Sequence, residues 1–190
     1  MTFSISEPMA FVCFLVYGSF FEWTLHKYLM HQPRWLYPFR AHALVHHGLF
    51  RTGDRYFLSD PKVIRKVRFA WWHAPFLILL HAPVIVWLEE TLDLNILKGA
   101  LSALILYYLL YEYLHYCMHI PKGRRLERTF WFRWLDSHHH MHHKRHFNNL
   151  NVVLPLADIL FGTLIPAKQH LATPNREAGA EQVSLLLSAS

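Results

Sequence analysis

Residues 137–143 read Ser137-His138-His139-His140-Met141-His142-His143, five histidines in six positions after the serine. The run is internal, broken by Met141 and flanked by Trp134 and Asn148, so it belongs to the fold and is no added tag. Three further groups stand elsewhere: His26-x4-His31, His42-x3-His46-His47 and His115-x3-His119. Together with His139-x2-His142-His143 they hold ten of the 16 histidines in the chain.

The segments around these groups set the expected fold. Pro8 to about Met30 is apolar and long enough to cross a hydrocarbon core as a helix. Its last third carries Glu22, His26 and Lys27, so that end must face protein or an interface. Gln32-Pro33 ends it. Residues 34–68 are polar and basic and contain the second group. Phe69 to Leu88 is a second apolar stretch, with Trp71, Trp72 and Trp87 placed as interfacial anchors and Pro75 and Pro83 expected to kink it. Glu89 to Asn95 reads as an acidic turn. The third stretch, Ile96 to about Met118, is apolar until Glu112 and His115. Residues 120–149 return to basic and aromatic character. Residues 151–166 are apolar but broken by Pro155, Asp158 and Gly162, which predicts a helix packed at the interface. The sequence after Lys168 carries no signal.

The expectation is an all-α integral membrane bundle of three to four transmembrane helices with a histidine-rich helical cap on the cytoplasmic face. One domain spans residues 1–166, and 167–190 form a C-terminal tail. A chain of 190 residues leaves no room for a redox domain of its own. Hydrophobic residues at 53% against 17% charged fit a membrane protein better than a soluble one. The formal charge of +6 raises the question of nucleic acid. Its distribution answers it: every Lys and Arg except Lys98 lies on the loop side that also carries the histidine groups. This is the bias of a cytoplasmic face, in a bacterial inner membrane or the endoplasmic reticulum, and no nucleic acid is expected. Cys13 and Cys117 lie in apolar stretches and read as reduced core residues.

Spacings of three and four put His115 with His119, and His139 with His142 and His143, on one helical face, near enough to share a metal. His26 and His31 are five apart, roughly 140° around an ideal helix. They serve two different metals, or sit where the helix unwinds before Pro33. Imidazole suits iron, zinc and copper, and ten ligands would supply two ions with about five each. Glu22 precedes His26 by four residues and Glu112 precedes His115 by three, which suits carboxylates orienting an imidazole through its other nitrogen. Asp158 and Asp136 are looser candidates for that role. His73, His81 and His170 have no partner at ligand spacing and read as structural or exposed. His138, His140 and His146 adjoin the last group, and spacing alone leaves open a register that uses one of them.

The chain resembles the membrane fatty acid hydroxylase and sterol desaturase superfamily. The matching stretches are Glu22 to His31, His42 to His47, Tyr111 to His119, His138 to His143 and Pro155-Leu-Ala-Asp-Ile-Leu-Phe-Gly-Thr163. The resemblance implies a histidine-rich di-iron site, with zinc able to replace iron in isolated protein. It also implies that dioxygen and external electrons serve to hydroxylate or desaturate a lipid drawn from the bilayer. It fixes the last register as His139, His142 and His143, so the implied ligands are His26, His31, His42, His46, His47, His115, His119, His139, His142 and His143. No haem-binding module is evident, so electrons come from a separate transfer protein. Two departures stand out. Three residues separate His42 from His46, where relatives often have two, and Asn149-Leu-Asn-Val152 replaces the usual Asn-Phe-Gly-Val.

Hydroxylation is the leading reading and desaturation on the same scaffold its rival. A non-catalytic metal-binding or transport protein would need polar groups along the spans, whereas all ten ligands gather at one end. The absence of His-Glu-x-x-His argues against a soluble zinc hydrolase.

Overall fold

The computed structural model describes residues 6–166 and 175–189, and no strand occurs among them. In chain order the helices are α1 (Ser6–Leu25), α2 (Leu36–Phe39), α3 (His47–Leu49), α4 (His73–Leu92), α5 (Leu97–His119), α6 (Phe130–Lys144), α7 (Leu156–Leu160) and α8 (Arg176–Ser188). Two π-helical turns, His26–Met30 and Arg40–His46, continue α1 and join α2 to α3.

Close packing of α1 on α5 follows from two glycines. A Cβ on Gly18 would lie 2.5 Å from the Tyr107 ring, and one on Gly99 2.1 Å from the Glu7 carbonyl oxygen, so any side chain would push the helices apart. Acidic side chains cap the start of α5. Glu7 accepts from the Gly99 N–H, and Glu89 accepts from the Ile96 and Leu97 N–H groups at 2.7 Å each.

α1 with its π turn (Ser6–Met30) and α4 are long and apolar enough to cross a membrane. α4 buries only His81 and Ile85, and leaves Phe76, Leu79, Leu80, Val84 and Trp87 exposed, as a lipid-facing helix does. Among the described residues there are two such helices, where the sequence suggested three to four. α5 is longer, but Tyr107, Tyr108, Tyr111, Glu112 and Tyr113 dilute its apolar character, and it buries one face against α1.

Smaller departures have local causes. Pro75 falls in the first turn of α4, where it costs no hydrogen bond, and only Pro83 lies within the helix. α4 absorbs Glu89 to Leu92, so the turn begins at Asp93, which adopts the left-handed conformation. Only Leu156–Leu160 of the segment 151–166 is helical. Cys117 is buried, whereas Cys13 is exposed on α1 and is not a core residue.

The largest core packs Phe50, Phe57 and Leu58 against Met118, Ile120, Phe132 and Val152. α8, unreadable from sequence, joins this core through Val183, and Gly179 lets it approach the Phe57 ring. Arg176 fastens it: the guanidinium donates to Asp136 at 2.7 Å and to the Cys117 carbonyl, and stacks 4.7 Å from the Phe132 ring. Burial pushes the Asp136 carboxyl up to about 6, and Arg176 opposes this. A carboxyl raised in the fold contributes stability below its ordinary value near 4, and that stability is lost as pH rises through the folded value. Arg176→Ala, which removes a charged hydrogen bond worth about 2 kcal/mol, is expected to lower the melting temperature by about 6 °C. The deficit should be larger near neutral pH than near pH 4, by differential scanning calorimetry at both pH values; equal deficits would show that Arg176 does not support the Asp136 charge.

Candidate metal centre

Four chain segments deliver ten buried imidazoles to one place, and the local winding of each decides where its rings go. His26 with His31, and His42 with His47, are each five residues apart and each bracket a π turn. A π turn closes i to i+5, so it returns residues five apart to one side. His115 with His119, and His139 with His143, are four apart on α-helices and share a face in the ordinary way. The result is two sets of five: His26, His31, His42, His47 and His142, and His46, His115, His119, His139 and His143. Within each set the nearest ring nitrogens all lie within 4.8 Å of one another.

Of the two placements open to His26 and His31 the structure takes the second, and the expectation for His142 changes. His26 and His31 converge on a single set because the helix rewinds as π ahead of Pro33. His142 parts from His139 and His143 and joins the first set, since it sits three residues from one and one from the other, rotated off their shared face. His47 and His143, with ring centroids 4.2 Å apart, mark the seam between the sets. The third intervening residue between His42 and His46 lies within the π turn Arg40–His46.

Proton placement shows what the sets lack. Six rings donate Nδ1–H to backbone carbonyls: His26 to Leu150, His46 to Lys66, His115 to Val67, His119 to Tyr56, His142 to Asn148 and His143 to Phe50. A carbonyl only accepts, so the Nε2 of each of these rings is a bare lone pair. Yet Nε2 atoms face one another. His139 Nε2 lies 3.2 Å from His119 Nε2 and 3.1 Å from His143 Nε2. A proton on His139 could serve only one of those two lone pairs. His142 Nε2 likewise lies 3.1 Å from both His31 and His47, and His26 Nε2 lies 2.8 Å from His42. His46 Nε2 and His115 Nε2 are buried with no protein partner. A cation at the centre of each set would satisfy all of these lone pairs at once.

The closest nitrogen pairs, 2.8–3.2 Å apart, are near enough to share one ion. Each set offers five nitrogens, one more than tetrahedral zinc takes.

The carboxylates work one step further out than expected. Glu22 accepts from Tyr107 Oη at 2.7 Å and from the Val152 N–H, not from His26, whose Nδ1 is taken by Leu150. Glu112 accepts from the Phe69 N–H at 3.1 Å, while His115 turns to Val67. Asp158 accepts from the Leu150 and Asn151 N–H groups at 3.0 and 2.8 Å, from Thr163 and from His138. Asp136 accepts from Tyr56 Oη, and the Tyr56 carbonyl holds His119. Each acid thus anchors a segment whose carbonyl orients a ring, Glu22, Glu112 and Asp158 through backbone N–H groups and Asp136 through the Tyr56 hydroxyl. Asn149, at φ 54°, and Asn151 complete this brace through His138, Ile165, Ser19 and Asp158. The six carbonyls, Tyr56 and the two asparagines were not foreseen; only the density of Asn in 148–151 hinted at them.

The remaining histidines keep to supporting places. His138 stacks on Trp134 and pairs with Asp158, and His140 packs edge-on to Tyr56. Exposed His146 lies over the first set, 4.5 Å from His47. His73 stacks on Trp72, and His81 bonds Tyr17 between α1 and α4. His170 lies outside the described residues.

Burial lowers the basicity of His42, His46, His47, His139, His142 and His143 well below the ordinary value of 6.5. These rings are neutral when folded and take up protons on unfolding. Their contribution to stability is present above about pH 6.5 and is lost as pH falls below it. Acidification from pH 7.5 to about 5 is therefore expected to release bound metal and then unfold the cap. Circular dichroism with a colorimetric metal indicator would show it, and metal retained at pH 5 would contradict it.

Residues 11–163, more than half of the chain, match the family model described as fatty acid hydroxylase. No curated protein and no solved structure matches.

Proposed function

Because the chain belongs to the fatty acid hydroxylase family, whose members are oxidoreductases, we propose that it is a membrane-bound lipid hydroxylase with one iron ion in each five-histidine set. Dioxygen and electrons from a separate transfer protein are its co-reactants. In this reading α5 is a third span, and the histidine cap lies on the cytoplasmic face of a bacterial inner membrane or of the endoplasmic reticulum membrane.

The observation that carries the reading is a cavity of about 600 Å³ that reaches both sets, at His42 on one side and His46 and His115 on the other. Its far wall is apolar, with Leu25, Leu29, Phe76 and Leu77, and its rim is basic, with Arg65, Lys66 and Arg68. An amphiphile fits both: the hydrocarbon lies along the apolar wall and an anionic head group stays at the basic rim. Exposed Trp71 and Trp72 also line the cavity, and in this reading a lipid enters beside them from the bilayer surface.

Bound iron would supply the power to activate dioxygen toward an unactivated C–H bond. The chain supplies position and exclusion. Its carbonyl-held Nδ1–H groups keep six of the ten Nε2 lone pairs aimed inward. Phe50, Tyr56 and Met118 seal the second set from water. The cavity wall holds one part of the substrate chain next to both sets.

The test joins metal analysis of purified protein to lipid profiling of cells making the wild type or His142→Ala. Iron in the wild type, and an oxygenated lipid lost in the variant, are expected. A lipid that changes only in unsaturation would assign a desaturase, and protein without metal would end the oxidase reading.

A further inference from the structure

A second cavity, of about 170 Å³, lies between α1, α4 and α5 beyond the first. The two share Leu25, Met30, Phe69, Leu77 and Tyr111 as a common wall, so a single partition separates them. The polar side chains lining the second cavity are mostly engaged. Glu22 is held by Tyr107, Asn151 and Val152. His81 gives Nδ1–H to the Leu77 carbonyl and accepts from Tyr17 at Nε2, and His26 is held by Leu150. Such a lining offers little to a polar ligand and a continuous contact surface to hydrocarbon. Tyr111 differs. Its hydroxyl is sealed in the partition without a partner. That penalty lasts only while the partition is shut, because opening it brings the O–H to water or to a ligand.

Size narrows the occupant. A dry cavity of roughly 150 Å³ admits benzene, so this one admits about six carbon atoms. A fused sterol ring system is too large and rigid for it, whereas the end of a straight chain passes through a side-chain partition.

We propose that this cavity receives the methyl end of a single unbranched alkyl chain, about six carbons of it, while the rest of the chain lies in the larger cavity against the two histidine sets. Leu104 and Ile78, which line this cavity and not the larger one, are then the residues that set how much chain is accepted beyond the partition. Leu104 stands seven residues before Tyr111, roughly 10 Å along the helix, so bulk there shortens the cavity without reaching the metal ligands.

This rests on the lipid reading of the site, but binding is measured without turnover, so the two can fail separately. Full-length iron-loaded protein in lipid nanodiscs, kept anaerobic and without reductant, is titrated with saturated fatty acids from decanoate to eicosanoate in competition with radiolabelled palmitate. Affinity should rise with each methylene and then level off, cholesterol should not compete, and a palmitate analogue ending in a tert-butyl group should bind about tenfold more weakly. Leu104→Trp and Ile78→Trp should each move the plateau to shorter chains and weaken the longest ones about tenfold, with iron content unchanged. Cholesterol competing as well as palmitate, or a tert-butyl analogue binding like palmitate, would overturn the proposal, as would an unchanged length profile in a folded variant. The analogue and cholesterol need no variant, so misfolding of both substitutions still leaves a decision.

Discussion

His139→Ala and His142→Ala are expected each to remove one metal ion, but not the same one. The two residues are three apart on α6, yet their rings belong to different sets of five. Loss of His142 takes a ligand from the set held by the π turns, and loss of His139 one from the set built on α5 and α6. Each variant should retain an ion in the intact set and lose activity by more than about 100-fold, since even indirect partners of a ligand cost 10–100-fold. Metal stoichiometry by mass spectrometry, with Mössbauer spectra of iron-57-loaded protein, separates the two cases. Identical residual spectra from the two variants would mean that α6 feeds one site only, and would undo the division into two sets.

The second large effect falls on a residue that touches no proposed ligand. Asp158 is fully buried, and holds the Leu150 and Asn151 N–H groups, Thr163 and His138 with its two oxygens. Burial alone would raise its pKa, but hydrogen bonds from His138, Thr163 and Asn151 hold it below the ordinary value of 3.8. A depressed carboxyl contributes stability above its ordinary value, and that contribution disappears as pH falls through the folded one. Asp158→Ala leaves several buried donors unpaired. It is expected to cost about 3 kcal/mol at neutral pH, or roughly 10 °C in melting temperature. Because Leu150 orients His26, metal affinity at the first set should fall about tenfold or more as well. Asp158→Asn keeps one acceptor oxygen and should recover part of both. Wild-type stability together with wild-type metal affinity in the alanine variant would remove Asp158 from the support of the site.

Much of this was legible because histidine is rarely crowded by chance and helical spacing constrains where its rings point. All ten expected residues meet, and the i,i+4 pairs on α5 and α6 follow directly from sequence. The π turns at His26–Met30 and Arg40–His46 carry no such signal: nothing in HKYLM or RAHALVH marks a helix that will unwind into a wider turn. Winding decides which rings share a centre, so the assignment of His31, His47 and His142 to one set lay beyond spacing. The carboxylates misled for a related reason. Glu22 and Glu112 do sit one turn from a histidine, but each meets a loop N–H distant in sequence, and periodicity contains no information about loops. α8 was invisible because the contacts that fasten it, Arg176 with Asp136 and Val183 in the core, depend on residues far upstream.

The acceptors that orient six of the ten rings are main-chain oxygens, and this has a consequence for how the site tolerates change. Lys66, Val67, Asn148, Leu150, Phe50 and Tyr56 can drift in identity without losing the oxygen that matters, because that atom is common to every amino acid. Alanine at exposed Lys66 or at Asn148 would therefore leave the aiming oxygen in place, whereas alanine at buried Phe50, Tyr56 or Leu150 would register through lost packing and not through that oxygen. Insertions, deletions and proline substitutions in residues 50–67 and 148–151 are the changes that would expose it, since they move the chain itself.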